Sequence, residues 1–388
     1  MGNKKIGVLI GGSGLIGGTI VNFYKTRYAD TVDIRAPSSK KLSIRDDKDI
    51  RQYLTDVKPD FVINAAMASL GADGQLAYEV NYLGPVNLAR AATALNIPYI
   101  HISSSATMPS GEDLREENTL PLTPDLGNYA KSKLMAEMTL RRMAEQEGLD
   151  YTCIRLAIVY GAHDHKIQGF HRMFFSIADE AMPALFTKRH TFHSYSNARK
   201  LPFFIHHALA NRAEFSGRTY NFVDKHPVEL ATLILTIKSY LQLSLPKEIY
   251  VPYWLAKSGQ KGLNGLLKFL RRIGLKANMP PELMFLDNFY KPQTLSCKRL
   301  QESSFVDPMP NETIFTRLPD LVVYYLTRWS HENLIDTFKD CVEQEAALGH
   351  AFAQTPELLV EAVHSQGIGP FPDMKKETNL AQEAVTMN

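Results

Sequence analysis

The 388-residue sequence predicts an α/β fold, a doubly wound parallel sheet followed by a smaller, mostly helical C-terminal region. In the first half, short and continuously apolar strands alternate with helical segments, which is typical of a parallel sheet covered on both faces. Three glycines, Gly11, Gly14 and Gly17, lie between the first strand and the first helix. Hydrophobic residues make up 45% of the chain, so a large core is expected.

The elements of the first half follow one another in regular order. Strands are predicted at 6–10, 31–35, 61–64, 99–103 and 151–158, and helices at 15–28, 48–56, 75–95 and 129–147. The pattern becomes irregular after residue 161, until a strand at 219–223 and a helix at 227–241 indicate a return to the sheet. The segment 245–319 is rich in proline and predicts several short helices. Helical periodicity then leads to a polar tail, 374–388.

We therefore expect four regions. They are a Rossmann core at 1–161, a mixed segment at 162–245, a substrate-binding region at 246–330, and C-terminal helices with a frayed tail at 331–388.

Composition argues against several classes of protein. The formal net charge of +2 gives no electrostatic footprint of a nucleic-acid binder. The three cysteines lie far apart and form no C-x-x-C pair, which fits a reducing, cytoplasmic location. The early first strand leaves no room for a signal peptide, and we find no run of eighteen apolar residues. Seven histidines fall between His163 and His207, but without acidic or cysteine partners at fixed spacing, so no metal is expected.

The glycine-rich turn is the most informative motif. Glycines at this spacing, after a strand and before a helix, let the backbone approach a pyrophosphate at the helix N-terminus. A plain structural turn is the alternative. The candidate cofactor-binding residues of the turn are Gly11, Ser13, Gly14, Leu15, Ile16 and Gly17.

Tyr129 and Lys133 are four residues apart in a predicted helix, so they share one face. A phenol, with an unperturbed pKa of about 10, is a poor base at neutral pH, and a nearby ammonium lowers that pKa. The pair suits proton exchange with a substrate hydroxyl while hydride moves to or from a nicotinamide. An amphipathic helix with a surface lysine is the alternative.

Two strand ends carry small or polar residues. The run from Ser103 to Thr107 follows the strand at 99–103, at the edge where open α/β sheets bind ligands. Ala65 and Ala66 follow the strand at 61–64 and leave room for a cofactor, and Asn81 is placed to tie that strand end down. A serine-rich turn and ordinary packing are the alternatives.

Together these motifs resemble the extended short-chain dehydrogenase/reductases, in particular their epimerase/dehydratase group. The resemblance covers residues 4–165 well and 200–245 loosely. Segments 103–107 and 129–135 are similar to the UDP-galactose 4-epimerases, and segments 58–66 and 80–90 to the dTDP-4-dehydrorhamnose reductases.

The resemblance implies an NAD(P)-dependent oxidoreductase or epimerase with a small-molecule substrate, a nucleotide-linked sugar. Tyr129 is then the catalytic acid/base, and Lys133 lowers its pKa and holds the nicotinamide ribose. Ser105 orients the substrate oxygen, with Thr107 nearby on the substrate side, and Ser103 and Asn81 lie at the cofactor. The resemblance also implies a homodimer built through the helices at 75–95 and 129–147.

The predicted end of the second strand bears on the choice of cofactor. An NAD site usually ends this strand with an acidic residue, which accepts from the ribose 2′-hydroxyl. Here the terminal residue is Arg35, and Asp33 lies two positions earlier. Because an arginine suits a 2′-phosphate, the sequence favours NADP, with NAD as the alternative.

The substrate side leaves alternatives open. Arg199 is a candidate phosphate contact, or simply a solvated loop charge. The residues after Arg155 lack the asparagine common in nucleotide-sugar members, so a reductase acting on an apolar substrate, of the 3β-hydroxysteroid-dehydrogenase or β-keto-acyl type, is the second hypothesis. A non-enzymatic, dinucleotide-sensing regulator is the third.

The segment 249–280 contains six basic residues and no acidic one, with leucines at helical spacing. Such a segment predicts either peripheral membrane contact through 262–276 or a helix packing its apolar face on the rest of the chain.

Overall fold

The computed structural model describes residues 4–164, 166–179, 184–185, 190–249, 251–272 and 286–332. The chain divides into two compact units, 1–322 and 323–388, and the fold described below belongs to the first. Beyond residue 332, the predicted C-terminal helices and the tail 374–388 lie outside the described residues.

The strands of the described residues are numbered in chain order. They are β1 Lys5–Ile10, β2 Val32–Arg35, β3 Phe61–Asn64, β4 Tyr99–Ser104, β5 Gly111–Leu114, β6 Tyr151–Leu156, β7 Ile158–Tyr160, β8 Ala184–Leu185, β9 Phe192–His193, β10 Tyr195–Asn197, β11 Arg218–Phe222, β12 Val228–Glu229, β13 Lys247–Glu248 and β14 Gln293–Leu295.

The α-helices of the same residues are numbered likewise. They are α1 Leu15–Arg27, α2 Asp47–Val57, α3 Gly74–Ala77, α4 Gly84–Leu95, α5 Asn128–Glu147, α6 Gly169–Ala178, α7 Leu201–Ala210, α8 Arg212–Phe215, α9 Leu230–Tyr240, α10 Tyr253–Arg272, α11 Leu286–Tyr290, α12 Lys298–Gln301 and α13 Ile314–His331. A π-helical segment, Tyr78–Leu83, joins α3 to α4, and a 3₁₀ turn, Ser105–Thr107, follows β4.

The main sheet has six parallel strands in the order β11-β6-β4-β3-β1-β2. One core layer packs α1 and α7 on the sheet, through Ile20, Phe23 and Phe204. The other packs α2, α4 and α5 on the opposite face, through residues such as Leu54 and Leu140. Helices on both faces confirm the predicted doubly wound sheet. Strand order reverses between β1 and β3, which is where such sheets bind ligands.

The prediction of one strand over 151–158 is wrong. β6 ends at Leu156, and β7 pairs instead with β10 in a separate two-stranded sheet. The exchange begins at Ala157, whose backbone N–H donates to the Ser196 hydroxyl at 2.9 Å. Hydrogen bonding therefore passes from the main sheet to the smaller one at this residue.

The sequence patterns miss a second, four-stranded sheet in the order β12-β9-β14-β5. Its strands are two to four residues long, too short for an alternating pattern to be recognised. The prediction of only short helices over 245–319 is also wrong, because α10 has twenty residues. Among the described residues, we find no helix long and apolar enough to cross a membrane.

Candidate active site

The glycine-rich turn is shaped by backbone contacts that exclude side chains. Gly11 has φ +86°, and a Cβ there would lie 2.7 Å from the carbonyl carbon of Ala65. A Cβ on Gly17 would lie 2.1 Å from the Gly11 carbonyl oxygen. These glycines let the turn pack directly on the end of β3, at the point where strand order reverses.

The turn also leaves space where an anion would lie. A Cβ on Gly14 would meet nothing nearer than the Gly11 oxygen at 3.7 Å. Gly14 caps α1 without a side-chain hydrogen bond, and the first turn of α1 has no acidic residue. The first N–H groups of α1 are therefore not covered by a side-chain acceptor, and with the glycine cradle they fit the diphosphate of a dinucleotide.

The remaining predicted residues of the turn lie around this space. Ser13 is exposed, whereas Leu15 and Ile16 are half-buried at the start of α1. On the far side of the turn, a Cβ on Gly12 would come within 2.6 Å of the Ala36 side chain, so the chain just after β2 contacts the turn.

β2 ends at Arg35, as the sequence predicts. Its guanidinium Nε donates to Asp33 at 2.8 Å, and both side chains are more than 40% exposed. Next to the glycine turn, Arg35 is thus a cation suited to a phosphate and Asp33 a carboxylate suited to a hydroxyl. The two side chains form an ion pair with each other.

The end of β3 is fixed by buried amides. The Asn64 carboxamide donates to the Tyr99 hydroxyl at 3.2 Å and accepts from the Ala66 N–H at 3.1 Å. Asn81, fully buried in the π-helical segment, accepts from the Ala68 N–H at 2.8 Å and donates to Ser132 at 3.3 Å. Asn81 therefore holds the loop after β3 against α5, as expected, but its side chain does not reach the surface of the site. Ala65 and Ala66 remain half-buried there.

One face of α5 presents Tyr129, Lys133 and Glu137 at intervals of four residues. Lys133 is buried, and its Nζ donates to the carbonyl of Ile102 in β4 at 2.9 Å. This bond places the face of α5 on β4 close to its carboxyl end, with Tyr129 one turn nearer the helix start.

The electrostatics of the pair differ from the expectation. Burial raises the pKa of Tyr129, and a hydrogen bond with the Ser104 side chain opposes this rise. Burial also lowers the pKa of Lys133, to about 8, with Cys153 and Glu137 opposing the shift. The prediction that Lys133 lowers the pKa of Tyr129 is therefore not matched in this structure, because the perturbing groups are the surroundings and Ser104. At neutral pH the phenol keeps its proton.

The three serines at the end of β4 have different partners. The Ser104 side chain forms a hydrogen bond with Tyr129, while the Ser105 hydroxyl donates to the side-chain oxygen Oε1 of Gln293 at 3.1 Å. The Gln293 amide in turn donates to the backbone carbonyls of Ser105, Met108 and Pro109 at 3.1–3.3 Å. Gln293, from β14, thus fixes the turn after β4, and the structure brings Ser104 rather than Ser105 to the phenol.

Ser103 and Thr107 belong to a buried ionic network. The Glu137 carboxylate accepts from Arg155 at 2.6 Å, from Thr107 at 3.2 Å and from the Ser103 hydroxyl. Arg155 also donates to the Glu116 carbonyl at 2.7 Å. The structure therefore gives Thr107, which is fully buried, a different contact from the predicted substrate-facing one, and Ser103 uses its hydroxyl in the same network.

Arg199 lies between β10 and α7. Its side chain is half-exposed and forms an ion pair of 3.4 Å with Glu312. Next to it Lys200 is buried and bridges Asp307 at 2.9 Å and Asp224 at 3.9 Å. The Tyr160 phenol donates to Asp224 at 2.7 Å, and burial raises the pKa of that carboxyl to about 6.

This charged group lies close to the start of α1. A Cβ on Gly161 would be 2.9 Å from the Ala198 side chain and 3.5 Å from that of Leu15. The segment carrying Arg199 thus borders the glycine turn. The described residues include no group of three or more histidine, cysteine, aspartate or glutamate side chains that could hold a metal.

Sequence patterns missed three residues of this site. Glu137 had a usable signal, since it continues the four-residue spacing of Tyr129 and Lys133. Ser104 could not be told from its neighbours within a run of three serines. Gln293 had no local signal, because it lies 188 residues from Ser105.

The chain is similar to several known proteins. A decarboxylating sterol-4-alpha-carboxylate 3-dehydrogenase of Candida albicans is 26% identical over 183 residues, covering 41% of this chain and 52% of that protein. This chain thus spans about half the length of that relative.

Two solved structures have the same fold. A dTDP-4-dehydrorhamnose reductase from Bacillus anthracis, in complex with NADP, has a TM-score of 0.59 at 16% identity. A UDP-glucose 4-epimerase from Thermus thermophilus, in complex with NAD, has a TM-score of 0.59 at 18% identity. Each comparison covers 83% of this chain and 99% of the other.

A family model described as the NAD dependent epimerase/dehydratase family matches residues 8–213, which is more than half of the chain. That range contains the glycine turn, both strand ends and the Tyr129–Lys133 face. The chain belongs to the NAD dependent epimerase/dehydratase family.

Proposed function

We propose that this protein is an NAD(P)-dependent oxidoreductase or epimerase, which moves hydride to or from a carbinol or ketone carbon of a nucleotide-linked sugar. The observation that carries the proposal is the position of the Tyr129–Lys133 face on β4, at the same sheet edge as the open glycine turn. A bound nicotinamide supplies or accepts the hydride.

The residues of this chain have the following roles in the proposal. The N–H groups at the start of α1 and the cradle around Gly14 bind the diphosphate. Lys133, as an ammonium, holds the ribose hydroxyls. Because burial keeps its phenol protonated, Tyr129 donates its proton to a ketone oxygen in the reductive direction and becomes a phenolate. In the reverse direction the phenolate accepts the proton of the substrate hydroxyl.

The serine run orients the same oxygen. Ser104 forms a hydrogen bond with the phenol, and Ser105, held by Gln293, borders the substrate oxygen. Arg199 is placed on the segment that borders the glycine turn and is the candidate contact for a substrate phosphate. The sequence-based role for Thr107 is not carried into the proposal, because that side chain is fully buried.

NADP is the proposed cofactor, with Arg35 contacting the 2′-phosphate. The alternative is NAD, for which Asp33 is the available acceptor. We expect Arg35→Ser to weaken NADPH binding by about tenfold or more, because a charge-assisted hydrogen bond to phosphate is lost. NADH affinity should change little. Titration of both dinucleotides against both proteins measures this, and equal losses for the two would contradict the assignment.

A second candidate substrate class is a hydroxysteroid or another apolar carbinol. It is favoured by the likeness to the sterol-4-alpha-carboxylate 3-dehydrogenase, which is named for a sterol substrate. Its chemistry uses the same Tyr129 and Lys133, so only the substrate-binding region distinguishes the two candidates.

One assay separates the two candidates. Purified protein is incubated with each dinucleotide and with either a nucleoside diphosphate 4-ketosugar, a UDP-hexose or a 3β-hydroxysterol. Net oxidation or reduction is followed by the absorbance of reduced nicotinamide. Epimers, which have equal mass and form without net redox change, are separated by chromatography before mass spectrometry. Turnover of a nucleotide sugar supports the proposal, turnover of the sterol alone favours the second candidate, and no hydride transfer with any of them contradicts both.

Assembly is also part of the proposal. We propose a homodimer through the α3–α4 segment and α5, with light scattering on the purified protein as the test. Of the predicted membrane contact at 262–276, residues 273–276 lie outside the described residues.

A further inference from the structure

A row of large apolar side chains is exposed near the start of α10. Leu245 is 71% exposed, Ile249 44%, Trp254 69% and Leu255 50%. We call these four residues the apolar patch. They fall within eleven residues of chain, whereas such side chains on a protein surface are normally scattered singly.

The backbone that carries the patch is anchored on the fold. β13 pairs with β8, and the Ile249 N–H donates to the Leu185 carbonyl at 2.9 Å. The Tyr290 hydroxyl donates to the Val251 carbonyl at 2.5 Å. The backbone of the segment that carries the patch is therefore fixed by β8 and Tyr290, while the four apolar side chains remain exposed.

The start of α10 turns a defined side outward. The Tyr253 hydroxyl donates to Asp287 of α11 at 2.7 Å, and the Lys257 ammonium contacts the same carboxylate at 2.9 Å. These contacts fix one side of the helix on α11. Trp254 and Leu255 lie on the remaining side, away from that anchor.

The charge around the patch is predominantly positive. From Leu245 to Pro280 the sequence carries seven basic residues and one acidic residue, Glu248. Most of the chain differs, since its formal net charge is only +2 over 43 basic and 41 acidic residues. Basic residues next to exposed tryptophan and leucine complement the negative headgroups and the acyl boundary of an anionic bilayer.

We propose that the apolar patch docks this protein on an anionic membrane surface, with Trp254 and Leu255 entering the interface and the positive charge of the segment 245–280 attracting it to the headgroups. This inference goes beyond the proposed function, because it concerns where the protein works and holds for either substrate class. It also moves the contact predicted at 262–276 towards the start of α10.

Tryptophan fluorescence tests the docking directly. The chain has two tryptophans, Trp254, which is exposed, and Trp329, which is buried. The full-length protein is titrated with vesicles of phosphatidylcholine alone, or of phosphatidylcholine mixed with phosphatidylserine. We expect a blue shift of emission with the anionic vesicles that is absent from Trp254→Phe, because the Trp254 indole moves into a less polar environment.

Co-sedimentation supplies the affinity. Binding to anionic vesicles should exceed binding to phosphatidylcholine by about tenfold or more, since each basic residue near an anionic surface adds on the order of fivefold. Added salt should weaken it. The double variant Trp254→Ser/Leu255→Ser should lose at least about tenfold in vesicle affinity. Val306→Ser, at an 81% exposed position outside the patch, is the matched control and should bind like the parent.

Three outcomes would overturn the proposal. They are no binding to anionic vesicles, equal binding to both vesicle types, and equal binding by the patch variant and its control. A change of oligomeric state in the patch variant without a change in vesicle binding would also overturn it, and would assign the patch to a second copy of the chain. Because the readout is lipid binding, failure here is distinct from failure of the proposed hydride transfer.

Discussion

At the scale of single residues, the site is governed by burial. The phenol of Tyr129 and the ammonium of Lys133 are both shifted towards their neutral forms, because partial burial of the phenol and full burial of the ammonium disfavour the charged forms. For Tyr129 the neutral form is the proton donor, so burial favours the reductive direction at neutral pH. For Lys133 the neutral form is the less useful one, since only the ammonium carries a charge and three donors.

A pH dependence of cofactor binding follows. The pKa of Lys133 is lowered to about 8, so its ammonium is lost as the pH rises through this value. We expect dinucleotide affinity to be constant below that pH and to fall above it. Lys133→Arg keeps a cation across the range and should remove the decline. Dinucleotide titrations from pH 6 to about 9.5 measure this, and a decline that persists in Lys133→Arg would rule Lys133 out as its source.

Residue roles are also where the sequence was least informative. Ser104 is the last residue of β4 and Ser105 is the first residue of the 3₁₀ turn, so the exact position at which the strand ends decides which of the two reaches Tyr129. The Glu137–Arg155 pair decides the partners of Ser103 and Thr107, and it joins α5 to β6. Such non-local contacts cannot be obtained from a motif alone.

At the scale of elements, the glycine turn was predictable because its requirements are local. Gly11 has a positive φ, and Gly17 lies so close to the Gly11 carbonyl oxygen that a side chain would not fit. Both features are needed wherever a strand connects to a helix through such a tight turn. The second sheet was not predictable, since β14 finds its partners β5 and β9 far away in the chain. The strand at 151–158 was predicted too long for the same reason, as β7 is defined by its pairing with β10.

The turn offers a matched pair of variants. Gly14→Ala and Gly18→Ala each add a Cβ with no contact nearer than 3.7 Å, so both should fold. If the diphosphate lies over Gly14, Gly14→Ala should weaken dinucleotide binding by about tenfold or more, because the new methyl occupies the cradle. Gly18→Ala, inside α1, should bind normally and gain about 0.5–1 kcal/mol in stability. Equal affinities of the two variants, measured by titration, would place the cofactor elsewhere.

At the scale of the whole molecule, a buried ion pair links the helix layer that carries Tyr129 to the main sheet. The Glu137–Arg155 pair is almost fully buried and joins α5, β4 and β6. Breaking such a pair on one side leaves an uncompensated charge in the core, whereas removing both charges leaves a neutral site.

Arg155→Met should therefore lower the free energy of unfolding by about 3–5 kcal/mol, because it leaves the Glu137 carboxylate buried without a counter-ion. The double variant Arg155→Met/Glu137→Met should recover a large part of that loss. Denaturant unfolding followed by circular dichroism measures both. A cost below about 1 kcal/mol for the single variant would show that the pair does not hold the layers together.

In the proposed reaction, Tyr129 transfers the proton while a dinucleotide lies over the glycine turn. The decisive variant is Tyr129→Phe, with turnover and dinucleotide affinity measured on the same preparation. We expect turnover to fall by about 10²–10⁴-fold, with NADPH affinity close to that of the parent, since only the hydroxyl is removed. Unchanged turnover in Tyr129→Phe would contradict this role.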